Sequence, residues 1–400
     1  MQTGEAMLRG VRIVDLTSVV FGPYATKMMA DLGAEVIKVE PPSGDQYRHA
    51  GRPVRTRGMG HGHMAVNVGK KSAALDLKDP EDLALMRDLL KDADVFIHNV
   101  RDKAIRRLGL DYESVRKIAP EIIYIHCVGF GSDGPYADLQ AYDDVIQAAT
   151  GTTTLAGRVD GSGRPRYLPS LIADKVAGLH GAYAMLAAIV HRLRTGKGQF
   201  VEVPMFETFS HFMLLEHMGG ATFIPPTADW GYPRQLDPAR QPFPTADGFI
   251  SIVPYTDASI GALFEVLGAP HLLEQERFAT PKARAINMTA VYEEIARLTP
   301  SRTTDEWCDL LARAQIPAIR VRDLSEMLDD PHLQAAGFYE RRAHSTEGEY
   351  WEMRPPVRFF GVEPAERREP PRIGEHTEAL RAAARSQAAT PAGETPESQS

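Results

Sequence analysis

The residue with the most chemistry to offer lies in the stretch Leu171–Arg194, LIADKVAGLHGAYAMLAAIVHRLR. Apolar residues at Ala177, Ala182, Met185, Leu186, Ile189 and Leu193 predict one long helix, closed by Thr195-Gly196. Asp174 falls in its first turn. The helix dipole favours an acid there whatever its role. The small residues that follow, Ala177, Gly178 and Gly181, give the acid a second reading. Glycine costs helix stability, so two on one face mark a place where something must come close. A carboxylate with space above it is a candidate anionic nucleophile, ionised at pH 7 in its ordinary state.

Other spacings offer less. Gly129-Phe130-Gly131-Ser132-Asp133-Gly134 matches G-x-G-x-x-G after a strand. Pro135 and Tyr136 stand where a helix should open, and this is not the first βα turn, so the match does not indicate dinucleotide binding. It reads instead as a backbone-rich loop at the C-terminal end of a strand, where open α/β sheets hold ligands. His61 and His63 flank Gly62 without a third ligand, so no metal site is expected. Neither a G-x-S-x-G elbow nor a phosphate loop occurs. Cys127, in an apolar strand, and Cys308, in an amphipathic helix, read as packing residues. Arg48, Arg52, Arg55 and Arg57 crowd one loop, where guanidinium groups suit a substrate carboxylate.

The elements that must position these residues alternate. Val11–Leu16, a helical pattern from Tyr24 to Leu32, and Glu35–Glu40 form a βαβ unit. Further strands are predicted at Lys70–Lys78, Asp94–Val100, Ile122–Val128 and Gln199–Val203, with helices between them, which argues for an open α/β sheet. Gly219–Pro244 holds six prolines and no periodicity, as an extended linker would. The expected organisation is a large domain from 1–218 and 331–385, a linker over 219–244, and a small α+β domain over 245–330. Residues 386–400, rich in Ala, Thr, Pro, Ser and Glu, read as a disordered tail. A hairpin is expected within Phe338–Phe360.

At 400 residues the chain can bury a large core. Its net charge of −8 argues against a general nucleic-acid binder, although a local basic patch could still hold a phosphorylated ligand. Two cysteines fit a reducing cytoplasm better than a disulfide framework. Ala182–Val190, the longest apolar run, is far short of the ~20 residues that cross a bilayer, so no membrane insertion is expected.

Several motifs follow one another in order: L-x-G-V-R-I-V-D-L-T at Leu8–Thr17, DLGAEVIKVEPP at Asp31–Pro42, KKSAALDLK at Lys70–Lys78 and HNV at His98–Val100. After them come RLGLDYESV at Arg107–Val115, GFGSDGPYADLQAYDDVIQAATG at Gly129–Gly151, ADKVAG at Ala173–Gly178, GKGQFVEV at Gly196–Val203 and GEHT at Gly374–Thr377. In this order they resemble the class III CoA-transferases, a group with formyl-CoA and carnitine-CoA transferases and, as a branch, α-methylacyl-CoA racemases. The resemblance implies a Rossmann-like α/β large domain with an open, mainly parallel sheet, an inserted smaller α+β domain, and an interlocked homodimer.

It also implies chemistry. CoA would pass from an acyl-CoA donor to a carboxylic acid through a covalent aspartyl intermediate on Asp174, with acyl-CoA as substrate and no tightly bound cofactor. Gly178 and Gly181 would leave room for the adducts, and Tyr142 and Asp143 would assist. Val19, Val20 and Phe21 match the first βα loop beside the thioester; Leu75 and Lys78 match positions near the adenine and phosphates. Asn99 and Val100 match a strand-end pair lining the CoA pocket, and Arg107 and Leu108 match the pair that holds the nucleotide end. The racemase branch needs a histidine where Tyr142 stands, which disfavours that alternative. The other alternative, a non-catalytic CoA-binding protein, is opposed by an intact Asp174.

Overall fold

Short β-branched runs that alternate with amphipathic segments leave the chain one economical solution, strands side by side with helices crossing over them. The computed structural model describes residues 5–51 and 55–389; Arg52 and residues 390–400 lie outside the described residues. In order, the first half gives β1 (Arg12–Leu16), α1 (Phe21–Asp31), β2 (Glu35–Glu40), α2 (His61–Val66), β3 (Lys71–Ala74), α3 (Pro80–Lys91) and β4 (Val95–His98). There follow α4 (Asp102–Arg107), α5 (Tyr112–Ile118), β5 (Ile123–Val128), α6 (Asp143–Ala149), α7 (Leu155–Val159), α8 (Ile172–Thr195), β6 (Gln199–Pro204) and α9 (Met205–His217).

The six strands lie in the order β3-β2-β1-β4-β5-β6, and every pairing is parallel. Ile13, Val36, Ile97, Ile123 and Ile125 face α1 and α8 on one side. Val14, Ile37, Val39, Phe96 and Tyr124 face α3 and α5 on the other. A sheet covered on both faces needs such doubly apolar strands. The strand order reverses between β1 and β4, and a crevice opens at the C-terminal ends of strands at such a point.

The helix that carries Asp174 is α8, 24 residues long, ended by Gly196 in the left-handed region at φ 71°. Its length and composition would suffice to cross a membrane, but α8 packs against α1, β5 and β6 as a core helix. Gly178 and Gly181 serve that packing. A Cβ on Gly178 would stand 2.9 Å from Tyr24 Cδ1 and 3.0 Å from the Phe21 carbonyl oxygen; one on Gly181 would stand 3.3 Å from Ala25 Cβ. The close approach that the glycines announce is therefore that of α1, and the expected room for adducts is not what they supply.

The chain divides into two compact units. One comprises the described residues up to Thr152, Tyr167–Met213, and those from Ala336 onward; the other comprises Thr153–Arg166 and Leu214–Ala335. The second unit has an antiparallel sheet of β7 (Phe243–Pro244), β8 (Phe249–Ile252) and β9 (Ala318–Arg320). Leu263, Phe264, Phe278, Ile295 and Trp307 fill its core. The proline-rich stretch thus ends in a strand at Phe243–Pro244 rather than in a linker; a sheet edge tolerates proline, which has no N–H to donate. In the first unit β10 (Tyr339–His344) and β11 (Gly348–Met353) form the hairpin. The last helix, Thr377–Ala389, continues beyond Arg385, where composition had placed the end of order.

Candidate active site

The turn after β1 and the loops after β4 and β5 border a cleft of about 890 Å³ in the first unit. It sits at the reversal of strand order. Val19 and Phe21 line it from the first turn, Asn99 and Val100 from the second, and Gly129 and Phe130 from the third. Asp174, Tyr142 and Arg107 also face it.

Asp174 is 6% exposed. Its backbone N–H donates to Asp143 Oδ1 at 3.0 Å, and Asp143 in turn accepts from Gln147 Nε2 at 2.6 Å. Gln147 Oε1 accepts from the Leu168 N–H at 2.8 Å, tying α6 to the approach into α8. Asp143, 3% exposed, thus positions the start of α8, while its charge faces that of Asp174. Burial first, and the Asp143 carboxylate second, push the Asp174 pKa up from 3.8 to about 7. Both causes work against simple ionisation of Asp174 at neutral pH. Tyr47 shares this neighbourhood. Burial, then the charges of Asp174 and Asp45, raise its pKa and keep the phenol protonated. Nothing in the spacing of Tyr47 signalled that placement.

The turn between β1 and α1 is held from three sides. Thr17 N–H donates to Asp15 Oδ1 at 2.9 Å, Ser18 N–H to Asn99 Oδ1 at 3.1 Å, and Val19 N–H to both Asp45 oxygens at 3.2 Å. Asn99 Nδ2 also donates to the Ser18 carbonyl at 3.1 Å. Asn99 therefore acts through the turn as well as on the cleft. The G-x-G-x-x-G loop lies at the end of β5 but is anchored: Gly131 N–H donates to Glu207 Oε1 and Ser132 N–H to Glu202 Oε1, each at 3.0 Å.

Arg101, Lys103, Arg106 and Arg107, on and before α4, bring four cations to the wall of the cleft. Arg106 is engaged by Asp102 at 2.8 Å and Lys103 by Asp138 at 3.4 Å. Among the described residues no ion pair engages Arg101 or Arg107. Sequence reasoning singled out Arg107 and passed over Arg101 and Lys103, because scattered basic residues in an acidic chain carry no signal individually. His126 joins the wall, its Nε2 bonded to the Val100 carbonyl at 3.0 Å and its ring stacked 4.4 Å from that of His98.

Four of the family-matched positions stand elsewhere. Leu75 is buried in the core beside α3, and Leu108 packs partly against the same core. Lys78 is exposed in the turn before α3, and Val20 is buried as the residue that precedes α1. Arg48 cannot serve a substrate carboxylate. It is fully buried, with Nε and Nη2 on the two oxygens of Glu40 at 2.6 and 2.7 Å. Arg55 and Arg57 are exposed and are not among the residues that line the cleft.

The model of CoA-transferase family III matches residues 8–377. The chain is 34% identical over 348 residues to the succinate–glutarate CoA-transferase of Agrobacterium fabrum, covering 84% of this chain and 85% of that one. It is 30% identical over 374 residues to the succinyl-CoA:glutarate CoA-transferase of Homo sapiens, covering 92% and 84% respectively. The crystal structure of a CaiB/BaiF family protein from Brucella suis aligns with a TM-score of 0.81 at 31% identity, covering 96% of this chain and all of that one. With its parallel sheet and strand-end cleft already in place, this chain is a member of CoA-transferase family III.

Proposed function

We propose that this enzyme moves CoA between carboxylic acids through covalent intermediates on Asp174. The observation that carries the reading is a buried carboxyl, its charge disfavoured by burial and by Asp143, on the wall of a cleft that Arg101, Lys103, Arg106 and Arg107 also line. The Asp174 carboxylate attacks the acyl-CoA carbonyl, the C–S bond breaks, and CoA thiolate leaves an acyl–aspartyl anhydride. The thiolate then attacks the Asp174 carbonyl carbon. The anhydride C–O bond breaks, releasing the donor acid as its carboxylate and leaving an aspartyl-CoA thioester. The acceptor carboxylate attacks that thioester and expels the thiolate, which then takes the new acyl group and frees Asp174. No water takes part, so the thioester's free energy is conserved.

Burial supports this chemistry. A carboxylate stripped of water is a stronger nucleophile, and the cost of holding its charge is relieved when the anhydride or thioester forms. Arg101, Lys103 and Arg107 would take the phosphates at the nucleotide end, since guanidinium and ammonium groups suit them. The amides of Ser18 and Val19 are consumed by Asn99 and Asp45. In the first turn of α1 Pro23 has no N–H and the Tyr24 N–H already donates to the Val20 carbonyl at 2.8 Å, so the amides of Phe21 and Gly22 are our candidates for stabilising the oxyanion.

Dicarboxylic acids are the acceptor class we propose first, because relatives with succinate and glutarate in their names match most of this chain. We also infer a homodimer. Leu179, Tyr183, Val190 and Leu193 on α8 are 50, 61, 52 and 77% exposed, an apolar row that a second copy would cover. Light scattering tests that inference; a monomer at micromolar concentration contradicts it.

The direct test is a panel of acyl-CoA donors against mono- and dicarboxylic acceptors, read by mass spectrometry. Transfer should require an acceptor acid and vanish in Asp174→Ala, by more than about 10³-fold. Retained turnover in that variant would remove Asp174 from the chemistry.

A further inference from the structure

Val19 holds a conformation that its side chain opposes. Its φ is 69°, in the left-handed region, where a β-branched residue is a genuine outlier. Such strain persists only where the surroundings over-determine it. Here the surroundings are buried and charged. Lys38 is fully buried, with Nζ 2.8 Å from Asp45 Oδ2 and 2.9 Å from the Thr17 carbonyl oxygen. Asp45, 3% exposed, spends both oxygens on the Val19 N–H and accepts from the Tyr47 N–H at 3.0 Å. The Asp45 N–H donates to Glu40 Oε2 at 2.9 Å, and Glu40 is clamped by Arg48.

One carboxylate therefore grips two stretches of backbone that meet at the cleft. The first is the turn that presents Val19 and Phe21; the second is the 3-10 turn Gln46–His49, which presents Gln46 to the cleft and Tyr47 to the neighbourhood of Asp174. We propose that Asp45, paired with Lys38, is a positioning residue for acyl transfer: it holds Val19 in the left-handed region and so fixes the β1–α1 turn opposite Asp174. This rests on the covalent reading of Asp174. Asp45 touches no reacting atom and acts through the Val19 backbone.

Glycine supplies the test, because it adopts φ near 70° without strain. If Asp45 works by holding Val19, a glycine at position 19 should restore part of what loss of the Asp45 charge removes. Four proteins are compared: wild type, Asp45→Asn, Val19→Gly and Asp45→Asn/Val19→Gly. Asp45→Asn should lower kcat by at least about tenfold, more than it changes KM for acyl-CoA. Adding Val19→Gly should recover kcat at least about fivefold over Asp45→Asn alone, while the Tm lost with the ion pair does not return. A double variant no faster than Asp45→Asn would overturn the proposal, because the loss would then owe nothing to Val19.

Asp45→Asn leaves Lys38 buried without its counter-charge and is at risk of not folding. Lys38→Met/Asp45→Leu removes the pair together and leaves no side-chain oxygen for the Val19 N–H, and the same comparison with and without Val19→Gly is made on that background. Crystals of Lys38→Met/Asp45→Leu give a readout that needs no turnover. Val19 should relax to negative φ, and a retained positive φ would overturn the proposal even if the wild-type chain transferred no CoA. Absence of transfer in wild type with a relaxed Val19 would instead remove the covalent reading and leave the positioning claim without its purpose, overturning it as stated.

Discussion

Two groups of buried acids lie in the same unit and behave in opposite ways. Asp15, Glu40 and Asp45 are buried, and each meets a buried cation: Lys70 at 3.2 Å, Arg48 at 2.6 Å and Lys38 at 2.8 Å. Asp174 is nearly as buried, and the charge that faces it is another carboxylate, Asp143. Burial acts on Glu40 and Asp174 alike, favouring the protonated form. On Glu40 the hydrogen bonds and charge of Arg48 outweigh it and bring the pKa down to about 2. On Asp174 nothing outweighs it, and the pKa rises to about 7. What separates scaffold from site is thus the partner. The paired acids fix backbone; the unpaired acid is kept in a state that chemistry can relieve.

Cutting a pair on the scaffold side gives the largest stability effect. Arg48→Met strands Glu40 without its cation and should cost about 3–5 kcal/mol, read as a lower urea midpoint. The Glu40 pKa lies below its ordinary value, so its contribution is present above about pH 4.5 and is lost as pH falls through 2. A variant as stable as wild type at pH 7 would break the contrast.

On the site side the sign reverses. The folded pKa of Asp174 lies above its ordinary 3.8, so the stability it allows is full below about pH 4 and is lost as pH rises through 7. Asp174→Asn should therefore be more stable than wild type at pH 8, by up to about 4 kcal/mol, and no more stable at pH 4. Melting curves at the two pH values decide it; equal Tm values at pH 8 would mean that the buried charge costs nothing.

A smaller effect sharpens the cause. The single-turnover rate of acylation should rise with pH and level off above an apparent pKa near 7, since only the carboxylate attacks. Asp143→Asn keeps an oxygen for the Asp174 N–H but removes the like charge, and should move that midpoint to lower pH. An unmoved midpoint would assign the whole effect to burial.

Much of the large architecture was legible. Apolar runs such as Val95–His98 and Ile123–Val128, spaced by helical patterns, could only pack as parallel strands covered on both faces. Asp174 was legible as an acid in a first turn with glycines after it, but the glycines were misread. Their neighbours are Tyr24 and Ala25 on α1, more than 150 positions earlier, and a local pattern cannot name a distant partner. Arg48 was misread for the same reason. A cation in a Gly- and Arg-rich loop looks available to a substrate carboxylate until the fold brings Glu40 against it. Val19 gave no warning either, because a β-branched residue in a turn does not predict positive φ, and the buried Asp45 that accepts its N–H is 26 positions away. The ionisation of Asp174 depends on burial and on Asp143, 31 positions away, and so belongs to the fold.

The most direct measurement is mass spectrometry of the peptide that carries Asp174 after the enzyme meets acyl-CoA and hydroxylamine. Aspartyl anhydride and thioester intermediates should be trapped as a hydroxamate on Asp174, with none on Asp143 or Asp45. An unmodified Asp174 in an enzyme that turns over would contradict the covalent route.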